Sequence, residues 1–138
     1  MPSRSGPVKL REKDVVQQVK DFLEWEGWRA RRNQVLVAQN QTGRWVRAGE
    51  KGEPDWLYVY YFNGPQAGVA LVMWVECKAK GERLRPDQVD WHTKELARGA
   101  LVVAVDHFES FRDWYLEHFK WLKESGQQGQ QSLFGKDP

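Results

Sequence analysis

The chain has 138 residues, 41% hydrophobic and 29% charged, which fits one soluble-type domain with a core of its own rather than two domains. Its net charge is only +2, and a single cysteine, Cys77, excludes an intrachain disulfide. The start of the chain has no apolar signal-peptide core, and the longest apolar run, Val69 to Val75, is far too short to span a bilayer, so a cytoplasmic protein is expected.

In chain order, residues 1–10 read as a loose arm. Val15, Val19, Phe22 and Leu23 recur at helical spacing within Arg11 to Glu26, and Gly27 supplies a stop. Trp28 to Ala38 alternates loosely, Asn40 to Gly43 is turn chemistry, and Arg44 to Arg47 returns as a second strand. Asp55 to Phe62 and Gly68 to Lys78 are the strongest strand signals, separated by Asn63-Gly64-Pro65-Gln66, and read as a hairpin in mid-sheet. Apolar residues at nearly every position of the second strand predict burial on both of its faces. Pro86 to Ala97 reads as a helix ended by Gly99, Ala100 to Val105 as a buried strand, and Phe108 to Lys123 as a last helix. The tail from Glu124 to Pro138, rich in Gln, Gly and Ser, is expected to be disordered. The order predicts an α/β layer fold with one mixed central sheet flanked by helices and followed by a C-terminal helix.

The chemistry concentrates in Pro54-Asp55 and Glu76-Cys77-Lys78. Strand alternation puts Glu76 and Lys78 on one face and turns Cys77 to the other. Antiparallel pairing brings Asp55, at the start of one strand, beside Glu76, at the end of the next. Two converging carboxylates, with the Cys77 main-chain carbonyl as a third oxygen, suit Mg²⁺ or Mn²⁺. Lys78 on the same face would orient a nucleophile and offset developing charge. His107 and His118 have no partner at ligand spacing, so no zinc site is read. His92, four residues after Gln88, shares its helix face and is expected to be structural more often than a DNA contact.

Basic residues fall in clusters: Arg29, Arg31 and Arg32; Arg44, Arg47 and Lys51; and Lys78, Lys80, Arg83 and Arg85. Beside the acidic constellation they predict a phosphate-binding surface for DNA, with Arg29, Arg31, Arg32, Arg47, Lys51, Lys80, Arg83 and Arg85 as contacts. The last helix carries Phe111, Trp114, Tyr115, His118, Phe119, Trp121 and Leu122. That arc is wider than one core-facing stripe and fits either a well-packed core helix or a dimer contact.

The pattern resembles the PD-(D/E)XK nuclease superfamily and, within it, the VRR-NUC family. The resemblance rests on the acids of Glu12-Lys13-Asp14-Val15, the step Gly52-Glu53-Pro54-Asp55, the Glu76-Cys77-Lys78 triplet after an apolar strand, and Pro86-Asp87-Gln88 opening a helix. It covers Arg11 to about Asp106. It implies a restriction-endonuclease-like αβββαβ core and a metal-dependent DNA endonuclease. Asp55 and Glu76 would hold the metal, Lys78 would assist the attacking water, and Gln88 would contact water or phosphate. Glu12, or alternatively Asp14, would reach the metal from the first helix, with Glu12 favoured by spacing. Arg85 stands where the family often has a small capping residue, so phosphate contact is expected to replace capping there. Similar stand-alone nucleases act as homodimers on branched DNA, which implies a junction or flap substrate in repair, recombination or phage DNA processing. The alternative is a catalytically inactive DNA-binding or clamp-recruiting protein that keeps the fold. In the tail, Gln130, Leu133 and Phe134 resemble the short motif by which bacterial DNA-processing proteins bind the sliding clamp.

Overall fold

The computed structural model describes residues 10–33, 37–39, 41–47 and 49–134, without the side chains of residues 37, 38, 46, 47 and 125–134. The arm at 1–9, the Arg47 side chain, the side chains of Gln130, Leu133 and Phe134, and residues 135–138 therefore lie outside the described residues.

Helix α1 spans Glu12–Trp25. Val15, Val19 and Leu23, four residues apart, are fully buried, and each contributes roughly 1.5–3 kcal/mol by leaving water. Its start is closed by the Asp14 carboxylate, which accepts the Arg11 backbone N–H at 3.0 Å. It ends at Gly27, whose φ of 101° lets Trp28 N–H reach back to the Leu23 carbonyl at 2.9 Å. The next strand therefore begins directly beneath the helix.

Strands β1 (Arg29–Arg32), β4 (Trp56–Tyr61), β5 (Ala70–Cys77) and β6 (Leu101–Val105) form one mixed sheet in that spatial order. The first two pairings are antiparallel and β5–β6 is parallel. A parallel neighbour requires a crossover, and helix α2 (Pro86–Ala97) supplies it. The stretch expected as one strand from Trp28 to Ala38 divides. Its first part joins the main sheet as β1, while β2 (Val37–Gln39) and β3 (Trp45–Arg47) form a separate antiparallel ribbon.

The core lies on one face of the sheet, where Tyr58, Tyr60, Met73, Val75, Cys77 and Val105 meet α1 and helix α3 (Phe108–Phe134). Two buried hydrogen bonds pin α3: Trp28 Nε1–H donates to Tyr115 Oη at 2.8 Å, and Tyr60 Oη–H donates to the Leu122 carbonyl at 3.2 Å. Helix α2 covers the other face, where Trp91 meets Trp74 edge-on at 5.2 Å.

Three expectations change. Strand β5 is not buried on both faces along its length: Val72 is 43% exposed, because the crossover helix meets only the second half of the strand. The backbone of α3 continues helical to Phe134, past Lys123 where the sequence reading ended it. Gly126 and Gly129, each costing about 1 kcal/mol against alanine in a helix, left no local signal for this extension. The wide arc of α3 also narrows. Phe111, Tyr115 and Leu122 are buried, Trp114 and Phe119 pack against the core, and among the described side chains of α3 only Leu116 and Trp121 remain as exposed large apolar residues. Among the described residues no helix is long and apolar enough to cross a membrane.

Candidate active site

The register of the central hairpin pairs Trp56 with Val75. One step further, Asp55 stands opposite Glu76, and opposed residues of an antiparallel pair project to the same side. The step is held from the flank by Asn33, the first residue after β1. Asn33 N–H donates to the Asp55 carbonyl at 2.6 Å, and its side-chain amide donates to the Pro54 carbonyl at 3.1 Å and to the Glu53 carboxylate. The other Glu53 oxygen accepts the Glu50 N–H at 3.0 Å, which closes the loop on itself.

A cleft of about 270 Å³ opens at this end of the sheet, lined by Glu12, Arg32, Asp55, Glu76 and Cys77 among others. The alternatives for the helix acid separate here. Glu12 lines the cleft, whereas Asp14 is engaged with Arg11 in closing α1. Glu76 is only 6% exposed. Burial pushes its carboxyl up to about 7; the Lys78 ammonium pulls it back, Asp55 and Glu12 push it further, and Arg85 pulls it down. Among the described residues no cation stands within ion-pair distance of Glu76.

Lys78 and Gln88 are buried but do not line that cleft. Lys78 leaves the end of β5, its N–H bonded to the Val105 carbonyl at 2.8 Å. Its charge reaches both Glu76 and His92, so it links the cleft to α2. Gln88 Oε1 accepts the Arg85 backbone N–H at 2.9 Å. Gln88 thus caps its own helix by reaching back to the residue before Pro86, which needs no small capping side chain at Arg85. With its oxygen committed, the amide nitrogen is the part of Gln88 left to donate to a ligand. His92 is buried one turn on, and its Nε2 has no partner among the described residues. Burial, then the Lys78 charge, holds the imidazole below its ordinary pKa, in the neutral form.

The basic residues do not form one patch. Arg29 and Arg31 face the α2 side of the sheet, opposite Val59 and Leu57, while Arg32, opposite Trp56, faces the other way. Strand alternation splits any run of three. Only Arg32 of this cluster lines the cleft, its guanidinium 5.8 Å from the centre of the Trp56 ring. Arg29 donates to Tyr61 Oη at 3.4 Å. Lys51, Lys80, Arg83 and Arg85 are exposed, and Arg85 pairs with Asp87 at 3.4 Å. Cys77 is buried in the core with its thiol pushed up to about 12 by burial and then by Glu76 and Glu12, which makes it a small apolar residue rather than a nucleophile.

The donor set of Glu12, Asp55, Glu76 and the Cys77 carbonyl is all oxygen, the chemistry of Mg²⁺ or Mn²⁺ and not of zinc. Among the described residues no three His, Cys, Asp or Glu side chains close around a common point. A cation held here would therefore complete its shell with water and phosphate oxygens, as Mg²⁺ does. Asn33 carries no mark in the sequence, and Gly52 is marked there only as the start of the Gly-x-Pro-Asp step. Gly52, at φ 87°, lies against the α2 start so closely that an added Cβ would stand 2.2 Å from the Asp87 carbonyl oxygen. The Gly-x-Pro-Asp spacing pointed to that loop, but nothing in the sequence marked Asn33 as its clamp.

Compared with known proteins, the chain matches no family model and no curated relative.

Proposed function

We propose that the chain is a metal-dependent DNA endonuclease of the PD-(D/E)XK type, similar in motif order to VRR-NUC enzymes and selective for branched DNA. The observation that carries this reading is the buried Glu76 carboxyl, unpaired, set opposite Asp55 and sharing a cleft with Glu12. A carboxylate held out of water, with the exposed carboxylates of Asp55 and Glu12 beside it, costs stability unless a cation joins them. A bound divalent cation would supply charge neutralisation at the scissile phosphate and acidify the attacking water.

The chain's own residues account for the rest. Asp55, Glu76 and Glu12 would hold the cation, and their carboxylates would orient water toward phosphorus. Lys78, buried and close enough to influence Glu76, steadies the nucleophile and the charge that develops on phosphate oxygens. Gln88 offers its amide nitrogen to the same region from α2. Arg32 at the cleft rim and Arg85 at the α2 start grip flanking phosphates, which positions the duplex without reading its bases. In this proposal the protein works as a homodimer through Leu116 and Trp121 on α3, and the Gln130, Leu133 and Phe134 segment docks on a bacterial sliding clamp.

The test incubates the purified chain with junction, flap, nicked and linear DNA, with and without Mg²⁺ or Mn²⁺. Asp55→Ala and Glu76→Ala should abolish cleavage while DNA binding persists, and Lys78→Ala should lose at least about tenfold in rate. Full cleavage by either carboxylate variant would overturn the assignment. Binding of DNA without cleavage under any metal would favour a protein that keeps the fold and not the chemistry.

A further inference from the structure

The β2–β3 ribbon stands apart from the four-stranded scaffold. It pairs with no strand of the main sheet among the described residues. Both of its stems are rooted at the cleft. The incoming stem leaves Arg32 and Asn33, which touch the cleft and the Asp55 carbonyl. The outgoing stem returns through the loop at 49–55 that delivers Asp55.

At its turn the ribbon carries Trp45, 66% exposed, directly after the exposed Arg44. A two-stranded ribbon outside a sheet has little core to contribute to, so a Trp held out in water there adds little to folding. Six residue-to-residue steps lead from Asn33 to Gln39, the cross-strand partner of Trp45. At about 3.5 Å per residue, plus one strand spacing, the indole stands within about 25 Å of the cleft rim. That is some seven base steps along a nucleic-acid strand at about 3.4 Å each.

The contrast with Trp25 is informative. Trp25 is 80% exposed, but it lies at the end of α1 opposite Glu12, about 20 Å from it along the helix axis. Glu24 and Glu26 flank it in sequence, paired with Lys20 at 3.2 Å and Lys123 at 3.4 Å, a balanced setting with no net pull on phosphate. From Arg44 to Lys51 the charged residues are Arg44, Arg47, Glu50 and Lys51, a net charge of +2 that attracts phosphate.

We infer that Trp45 is a stacking platform for an unpaired base, carried on a ribbon whose two ends join the chain at the nuclease cleft, and that it selects DNA with a disrupted duplex within about seven base steps of the scissile bond. Every base offers a π-face, so such a platform recognises unstacked nucleotides without reading sequence. Arg44 and Lys51 hold the adjoining phosphates. This rests on the reading of the cleft as a DNA site but not on its chemistry.

The experiment measures equilibrium binding in EDTA, where no cleavage occurs, to a duplex with one unpaired 2-aminopurine and to the same duplex fully paired. The wild-type chain should quench the unpaired 2-aminopurine. Trp45→Ala should lose about tenfold in affinity for that duplex, the scale of one base–aromatic stack, and change less than twofold on the paired one. Trp45→Phe should retain most of the affinity and the quenching, whereas Trp45→Leu should not. Equal losses on both duplexes, or none on either, would overturn the stacking role while leaving the nuclease reading in place. Failure of the wild-type chain to bind any DNA would overturn both.

Discussion

Replacing Glu76 by Gln should stabilise the protein while it removes activity, and the gain should depend on pH. The folded state holds this carboxyl at about 7 against an ordinary 4.5. At about 1.4 kcal/mol per pH unit, keeping it ionised in the fold costs about 3 kcal/mol. Because its affinity for the proton is raised on folding, the folded chain binds more protons than the unfolded one between pH 4.5 and about pH 7. Stability is therefore intact below that window and falls as pH rises through it. Gln carries no charge to desolvate, although burying its amide without a partner costs about 1 kcal/mol. The net effect of Glu76→Gln should be a gain of about 2 kcal/mol near pH 8 that turns into a loss of about 1 kcal/mol below pH 4.5. Urea unfolding followed by circular dichroism across this range, in EDTA, measures both. Added Mg²⁺ should recover the lost stability of the wild-type chain, since a ligand that binds only the folded state stabilises it, and should do little for the variant. A variant less stable than wild type at pH 8, or a difference that does not change with pH, would refute the argument that Glu76 is a buried, uncompensated carboxylate.

Gly52→Ala places a Cβ 2.2 Å from the Asp87 carbonyl oxygen and 2.6 Å from its carbon, main-chain atoms that cannot turn aside, and adds about 1–2 kcal/mol of left-handed backbone strain. The Asp55 loop and the α2 start must separate, so cleavage should fall by about a hundredfold, the scale of a 1 Å misplacement, with a lower melting temperature and DNA affinity nearly unchanged. A variant with wild-type turnover would show that this contact does not set the site. If Arg83, Arg85 and the Arg29, Arg31 and Arg32 strand contact phosphates, DNA affinity should weaken steeply with salt. Arg85→Ala should then lower the log–log slope by about one, whereas affinity that is flat from low to physiological salt would exclude this. Light scattering at micromolar concentration should give twice the 16.2 kDa chain mass, and a monomer mass would remove the proposed α3 contact.

Much of this was legible in the residues alone because it depends on short-range periodicity. The fourfold spacing of Val15, Val19 and Leu23 faces one way on any helix, and Pro86 and Gly99 bound α2 by backbone rules that hold in every context. Alternation put Glu76 and Lys78 together and Cys77 against the core, and the hairpin brought Asp55 to Glu76 once the two strands were assumed to pair. What only tertiary structure decided depends on which face each element presents to another. The arginines at 29, 31 and 32 read as one cluster until β1 joined the sheet edge and alternation sent them to opposite sides. Glu12 and Asp14 were near equivalents in sequence until Arg11 took Asp14 for the helix start, leaving Glu12 to the cleft. Asn33 acquires its role only because β1 and β4 end side by side, and Gly52 only because its loop meets α2 some thirty-five residues further along the chain. Contacts of that kind are set by packing between distant segments, where no local spacing rule operates.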